Sequence, residues 1–164
     1  MQNLQILWMM MQICRLVAKI DVWWIRLPNV DVIDMSEDKA TKILIVDDDP
    51  SMIRTMTETL KEEGFEIVSA PDGNQGLACI EFFQPDLVIL DLMMPKRSGL
   101  LVLEGMREME QYIPAIMVTG NDGNRHRHYA EILGVDAYLT KPIRVELLVR
   151  TVKRVLEETE ASKS

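Results

Sequence analysis

From residue 42 onward, short apolar runs typical of buried strands alternate with segments of helical periodicity. The apolar runs are residues 43–46, 65–68, 87–90, 115–118 and 137–139. Each run precedes a helical pattern, and in the last of them the apolar positions between 145 and 155 form one stripe. Five such units in succession predict an α/β fold, a doubly wound parallel sheet with helices on both faces.

Local signals mark the predicted helix boundaries. Asp49 and Pro50 resemble an N-cap and a first helical residue, and Gly64 resembles the stop of that first helix. The later helices are predicted over about 73–83, from about 100, over about 125–133 and from about 145.

Charge and cysteine content narrow the class of protein. The formal net charge is −8, and since residues 1–34 hold three basic and three acidic side chains, the excess lies in residues 35–164. A net-acidic body argues against nucleic acid as the main partner, because such binding depends on neutralising phosphates. The positions of Cys14 and Cys79 do not resemble the spacing of a disulfide framework, so we expect both to be free thiols in a reducing, cytoplasmic compartment.

The first 40 residues are predicted to be an extension that precedes a domain at 41–158 and a short tail at 159–164. Residues 4–25 are apolar, but polar side chains interrupt them too often for a confident membrane span. An amphipathic segment and extra packing for the domain are both open interpretations. The favoured one is that this segment belongs to no functional unit and that the natural chain starts at Met35.

Unusual polar residues follow the predicted strands. Asp47 and Asp48 come directly after the first strand, Asp91 after the third, Thr119 after the fourth and Lys141 after the fifth. Because parallel strands end at the same edge of a sheet, these five side chains should meet there, where such sheets bind ligands.

That cluster suits phosphoryl transfer. Three carboxylates held together repel one another, and a Mg²⁺ ion, which prefers oxygen ligands, would relieve the repulsion. A hydroxyl and an ammonium would neutralise a phosphoryl group, and Asp91 could accept it as an aspartyl phosphate. Taken singly, Thr119 is an ordinary turn residue and Asp49 a helix cap. Only the joint placement favours a functional site.

At these residues the sequence resembles the response regulator receiver domain of two-component signalling. The matching segments are residues 43–50, 86–95, 98–99, 116–120 and 137–142, within a resemblance that covers about 41–157. The resemblance implies a flavodoxin-like sheet with strand order 2-1-3-4-5.

The resemblance also implies roles at the metal site. Asp91 corresponds to the phosphoryl acceptor and Asp48 to a direct Mg²⁺ ligand. Asp47 corresponds to a second acidic residue that acts partly through water, and Met93 to a ligand through its backbone carbonyl.

Further roles follow for residues on the last two strands. Thr119 corresponds to the hydroxyl that meets the phosphoryl group, and Lys141 to the ammonium that pairs with it. The bond between Lys141 and Pro142 is expected to be cis. Tyr138 corresponds to an aromatic switch that turns inward when Thr119 moves.

For the function, the resemblance implies a signalling receiver and not an enzyme with a separate substrate. The phosphoryl donor would be a phosphohistidine on a sensor kinase or a phosphotransfer protein, and the receiver would hydrolyse its own phosphoryl group slowly. A downstream protein would read the face made by the fourth helix, fifth strand and fifth helix. The few residues after 156 indicate a single-domain regulator without an attached output domain.

Other interpretations stay open. A haloacid-dehalogenase-type phosphatase would use Asp47 and Asp49 in its first motif, but it leaves Asp91 unexplained. A docking module that keeps only the fold is a second alternative. His126 and His128 could bind a metal, although a solvated turn is the expectation for them.

Overall fold

The computed structural model describes residues 40–109, 111–120 and 124–163, and within them strands and helices alternate. The strands are β1 (Lys42–Val46), β2 (Glu66–Ala70), β3 (Leu87–Asp91), β4 (Ala115–Thr119) and β5 (Ala137–Thr140). The helices are α1 (Pro50–Glu62), α2 (Gly73–Phe83), α3 (Gly99–Arg107), α4 (Asn124–Ile132) and α5 (Val145–Lys163). Residues 1–39, which include Cys14 and Met35, lie outside the described part of the chain, so the predictions made for them stay predictions.

The strands form one parallel sheet in the order β2-β1-β3-β4-β5, which confirms the predicted fold class and strand order. In this register Val46 lies beside Leu90, and Thr119 lies beside Thr140. The carboxyl ends of β1, β3, β4 and β5 therefore sit together at one edge.

The sheet is buried on both faces, which explains its continuous apolar runs. Successive side chains of a strand point to opposite faces. Ile43 and Ile45 accordingly pack in a cluster that includes residues of α1 and α5. Leu44 and Val46 pack in the other cluster, which includes residues of α2, α3 and α4.

Helix starts follow the expected local chemistry. The Asp49 carboxylate accepts a hydrogen bond from the Ser51 amide at 2.8 Å, and Pro50 occupies the first turn of α1. The hydrogen bond from the Ser51 side chain, and to a smaller extent the one from the Ser51 amide, lower the pKa of Asp49. Asp49 is therefore a helix cap, as predicted, and the helix ends just before Gly64, whose φ of 89° suits glycine.

Most element boundaries lie within one residue of the predictions, and β2 and α5 extend further. β2 begins one residue later than predicted and continues through Ser69 and Ala70, because these residues pair with the last two residues of β1. α5 continues through residues 159–163, which were predicted to be a tail. Thr159 is buried there, and its hydroxyl donates to the carbonyl of Val155, so the helical pattern continues where the apolar stripe fades.

His126 and His128 lie in α4, which agrees with the helix predicted over about 125–133 and not with a solvated turn at these residues. His126 is half-buried and His128 is exposed. The free thiol predicted at Cys79 is confirmed, and burial raises the pKa of this half-buried residue.

Arg107, at the end of α3, ties the carboxyl end of α4 to the body of the domain. Its guanidinium donates to the carbonyl oxygens of Leu133 at 2.9 Å, Ile113 at 2.9 Å and Gly134 at 2.7 Å. These carbonyls include groups that a helix end leaves without intrahelical donors. No sequence signal indicates this role, since Arg107 looks like an ordinary exposed helix residue.

The longest described helix, α5, has 19 residues, and charged side chains recur along it. Within the described ranges, no helix is both long and apolar enough to cross a membrane.

Candidate functional site

The structure brings the polar residues at four strand ends together at one edge of the sheet, as predicted. Asp91 and Thr119 are the last residues of β3 and β4, and Asp47 directly follows β1. Lys141 directly follows β5 and reaches back to Asp47 across 94 residues of sequence. The bond between Lys141 and Pro142 is cis, as the resemblance implied.

Three carboxylates form the acidic part of this edge. Each of Asp47, Asp48 and Asp91 offers a carboxylate oxygen, and these oxygens lie within 4.8 Å of one another. Asp47 and Asp91 are only 1% and 4% exposed, whereas Asp48 faces solvent. Two of the three carboxylates are thus shielded from solvent, and an ion or a phosphoryl donor could approach the cluster from the side of Asp48.

Lys141 supplies a positive charge to two of these carboxylates. Its ammonium nitrogen lies 2.8 Å from Asp47 Oδ2 and 2.9 Å from Asp91 Oδ1. Burial alone would lower the pKa of Lys141, but hydrogen bonds to Asp47 and Asp91 outweigh it and raise that pKa. Lys141 is therefore a fixed cation at neutral pH.

Both carboxylate oxygens of Asp91 have a partner. Oδ1 meets Lys141, and Oδ2 accepts a hydrogen bond from the amide of Met93 at 3.0 Å. Burial, aided by the charge of Asp47, raises the pKa of Asp91 even though Lys141 and the Met93 amide oppose the shift. Such a carboxylate is stabilised by any added cation that faces it.

The donor set fits Mg²⁺. Three carboxylates against the one ammonium of Lys141 leave two net negative charges, and carboxylate oxygens are hard ligands. Asp47 Oδ1 is engaged by the amide of Asp49 at 2.8 Å and Oδ2 by Lys141, so Asp47 suits contact through water better than Asp48 does. Asp48 is therefore the better candidate for direct ligation, and ligation by Asp91 and by the Met93 carbonyl remains a prediction.

Thr119 and Tyr138 flank the cluster on β4 and β5. Thr119 is fully buried, and its carbonyl accepts a hydrogen bond from the amide of Lys141 at 2.7 Å, which joins the two strand ends. The hydroxyl oxygen of Tyr138 is buried, and the guanidinium of Arg127 in α4 lies 5.4 Å from the centre of its ring. Tyr138 therefore contacts α4, the helix that follows Thr119 in the chain. This position suits the predicted role of Tyr138 as a switch.

Sequence reasoning missed the residues that shape the loop after Asp91. A side chain on Gly99 would place its Cβ 2.2 Å from the carbonyl oxygen of Asp91, so only glycine fits. Lys96 pairs with Asp72, which lies 24 residues earlier. The only available signals were the small pair Ser98-Gly99 and the capping residue Asp72, and neither indicates its contact.

Replacing Lys141 with methionine is expected to lower the free energy of unfolding by about 1–3 kcal/mol, because two buried carboxylates lose their cation. Added Mg²⁺ should restore more stability to this variant than to the wild type. Urea unfolding in chelator and in Mg²⁺ measures both effects.

The matched control is Lys153→Met, which removes an exposed ammonium 2.6 Å from Glu63. Its loss should stay within about 1 kcal/mol, since exposed ion pairs contribute little. Equal losses in the two variants would contradict the electrostatic role of Lys141.

Comparisons with known proteins agree on the nature of this domain. The family model of the response regulator receiver domain matches residues 43–153. The chain is 34% identical over 119 residues to the alkaline phosphatase synthesis transcriptional regulatory protein PhoP of Bacillus subtilis, covering 73% of this chain and 50% of that protein. It is 37% identical over 118 residues to the transcriptional regulatory protein CpxR of Escherichia coli, covering 72% of this chain and 50% of that one.

Solved structures show the same fold. A CheY-like response regulator receiver domain protein from Methanospirillum hungatei superposes with a TM-score of 0.73 at 32% identity, covering 75% of this chain and 98% of that one. The chemotaxis protein CheY4 of Vibrio cholerae superposes with a TM-score of 0.66 at 29% identity, covering 71% and 98%. The chain thus spans nearly all of these solved chains but about half the length of the curated relatives.

Proposed function

The chain belongs to the response regulator receiver domain family of two-component phosphorelays, and we propose that Asp91 is its phosphoryl acceptor. The observation that carries the proposal is the position of the Asp91 carboxylate. It lies at the end of a buried strand, paired with Lys141 and within 4.8 Å of two further acidic side chains. The donor in this proposal is a phosphohistidine of a sensor kinase or a phosphotransfer protein.

In the transfer, a carboxylate oxygen of Asp91 attacks the phosphorus atom while the bond from phosphorus to the donor's imidazole nitrogen breaks. The electron pair of that bond returns to the imidazole, and the product is an aspartyl phosphate. Lys141 neutralises negative charge on the transferred oxygens, and the Thr119 hydroxyl donates to one of them. When bound by Asp48, Asp91 and the Met93 carbonyl, Mg²⁺ would supply charge neutralisation at the same oxygens.

We propose Asp91 and not Asp47 as the nucleophile, because the resemblance to the receiver family puts the phosphoryl acceptor at Asp91. Both oxygens of Asp47 are engaged, by Lys141 and by the amide of Asp49, beside the cap of α1. The Asp91 carboxylate is engaged in a similar way, by Lys141 and the Met93 amide, so the site of phosphorylation separates a receiver from a haloacid-dehalogenase-type phosphatase, whose nucleophile would be Asp47. We propose a signalling receiver that carries one phosphoryl group, and not a catalyst that turns over a separate substrate.

We further propose that phosphorylation alters the face made by α4, β5 and α5. Thr119 would move toward the phosphoryl group, and the space it leaves would change the packing of Tyr138. Arg127 lies over the Tyr138 ring, so α4 would respond to that change. The downstream partner is proposed to be a protein. That nucleic acid is not a partner stays a prediction, since relatives named as transcriptional regulators are matched over only half their length.

The test is to treat the full chain with a small phosphodonor such as phosphoramidate in Mg²⁺, then locate the adduct by peptide mass spectrometry. A Mg²⁺-dependent adduct on Asp91 is the expected result. An adduct on Asp47 would indicate the phosphatase alternative. No adduct, together with no binding of Mg²⁺ or beryllofluoride, would indicate a docking module that keeps only the fold.

A further inference from the structure

The loop between β3 and α3, residues 92–98, carries the predicted metal ligand Met93, and its first and last residues are held beside Asp91. The Met93 amide donates to Asp91 Oδ2 at 3.0 Å, and the Gly99 amide donates to the carbonyl of Leu92 at 3.1 Å. These bonds fix where the loop leaves and returns. They do not fix its tip.

The tip of the loop is held by an ion pair with a distant element. Lys96 Nζ lies 2.7 Å from Asp72 Oδ2, and the Asp72 side chain is 6% exposed. Lys96 has a φ of 67°, a left-handed backbone that a non-glycine residue keeps only where its surroundings impose it. The ion pair is thus part of what fixes the course of the loop.

Asp72 is itself held firmly, because it caps α2. Its Oδ1 accepts hydrogen bonds from the amides of Asn74 at 3.1 Å and Gln75 at 3.0 Å, and its Oδ2 accepts one from the Gln75 side chain at 3.0 Å. The hydrogen bond from Lys96 is the foremost cause that lowers the pKa of Asp72, so the carboxylate is ionised across the physiological range. The loop is therefore tied to the rigid end of a helix.

Backbone contact at the same place confirms how closely the loop tip lies on α2. A Cβ added to Gly73, the first residue of α2, would sit 2.6 Å from the carbonyl oxygen of Arg97. A side chain at this position would push the loop away, so glycine allows the approach and the ion pair beside it sets the register.

We propose that Lys96 and Asp72 are positioning residues, which hold loop 92–98 so that the Met93 carbonyl and the Asp91 carboxylate face one Mg²⁺ ion. This inference rests on the proposed function. Lys96 lies three residues from Met93. Met94, between them, is buried in the core, so releasing the tip should shift the Met93 carbonyl only slightly, which fits a modest loss of metal affinity. The Lys96 side chain is largely exposed, and Asp72 keeps its hydrogen bonds to Asn74 and Gln75 without it, so loss of Lys96 should change metal affinity more than unfolding.

The test measures Mg²⁺ affinity of the full chain by following amide NMR signals during titration. Lys96→Met is expected to weaken Mg²⁺ binding about threefold to tenfold, less than is typical for a direct hydrogen-bond partner of a ligand. Lys96→Arg, which keeps the cation, should retain most of the affinity. In phosphorylation assays the Mg²⁺ concentration at half-maximal rate should rise, whereas the rate at saturating Mg²⁺ should stay unchanged.

A double-mutant cycle separates pairing from other effects of the substitutions. Asp72→Asn keeps a side-chain oxygen that can cap α2 but removes the charge. If the two residues act as a pair, Asp72→Asn combined with Lys96→Met should bind Mg²⁺ no more weakly than the weaker single variant. Lys153→Met removes the exposed ion pair with Glu63, far from this loop, and should leave Mg²⁺ affinity unchanged.

Wild-type affinity in Lys96→Met would overturn the inference and leave the proposed function intact. So would an equal loss in Lys153→Met, because the effect would then not belong to the loop. If the wild-type chain bound no Mg²⁺ at all, both the inference and the proposed metal-dependent receiver would fail.

Discussion

Replacing Asp91 with asparagine is expected to reduce Mg²⁺-dependent labelling by a small phosphodonor at least about a hundredfold. The amide nitrogen and oxygen of asparagine are poor nucleophiles, and without the carboxylate no aspartyl phosphate can form at this position. The measurement is the phosphorylated fraction of the intact protein, by mass spectrometry, against time.

Asp86→Asn is the matched control for this loss. Asp86 precedes the same strand at its other end, and its carboxylate accepts a hydrogen bond from the Lys42 amide at 2.8 Å, which an asparagine oxygen can also accept. Labelling of this variant should equal that of the wild type. Undiminished labelling of Asp91→Asn, in contrast, would remove Asp91 from the role of acceptor.

The stability of Asp91→Asn is expected to depend on pH differently from that of the wild type. Burial raises the pKa of Asp91 above its ordinary value of 3.8, so the folded protein holds that proton more tightly than the unfolded chain does. The contribution of Asp91 to the stability of the wild type should therefore fall as pH rises through the interval between the two pKa values, and this loss persists above it. Asp91→Asn lacks this loss, so its stability relative to the wild type should be greater at pH 7 than at pH 3 in urea unfolding without Mg²⁺.

Gly99→Ala is expected to lower the free energy of unfolding by about 3 kcal/mol and to weaken Mg²⁺ binding as well. The added Cβ would lie 2.2 Å from the carbonyl oxygen of Asp91 and 3.0 Å from its carbonyl carbon. Both are backbone atoms at the end of a central strand, which cannot move without displacing the acceptor itself. Urea unfolding and a Mg²⁺ titration measure the two effects.

Gly120→Ala provides the comparison for the unfolding free energy. A Cβ on Gly120 would meet nothing within 4 Å, and this residue also lies close to the end of a central strand. Its change in stability should stay within about 0.5 kcal/mol. If Gly99→Ala were equally mild, the close contact with the Asp91 carbonyl would not constrain the loop as we argue.

Local chemistry made part of the fold predictable. The start of α1 could be inferred because Asp49 caps it within two residues and Pro50 suits its first turn. The extension of β2 to Ala70 and of α5 to residue 163 could not, since pairing with β1 and the packing of Thr159 lie outside the apolar pattern.

The sequence by itself determined the sheet, its strand order through the resemblance, and the set of residues at its carboxyl edge. It did so because a parallel arrangement leaves few choices for where strand ends can lie, and so Lys141 could be placed at the same edge as Asp47, 94 residues earlier. Only the tertiary structure decided the finer geometry: which oxygen of Asp91 meets Lys141, how Lys96 reaches Asp72, and why position 99 must be glycine. These contacts depend on distances of a few ångströms between segments that no periodicity connects.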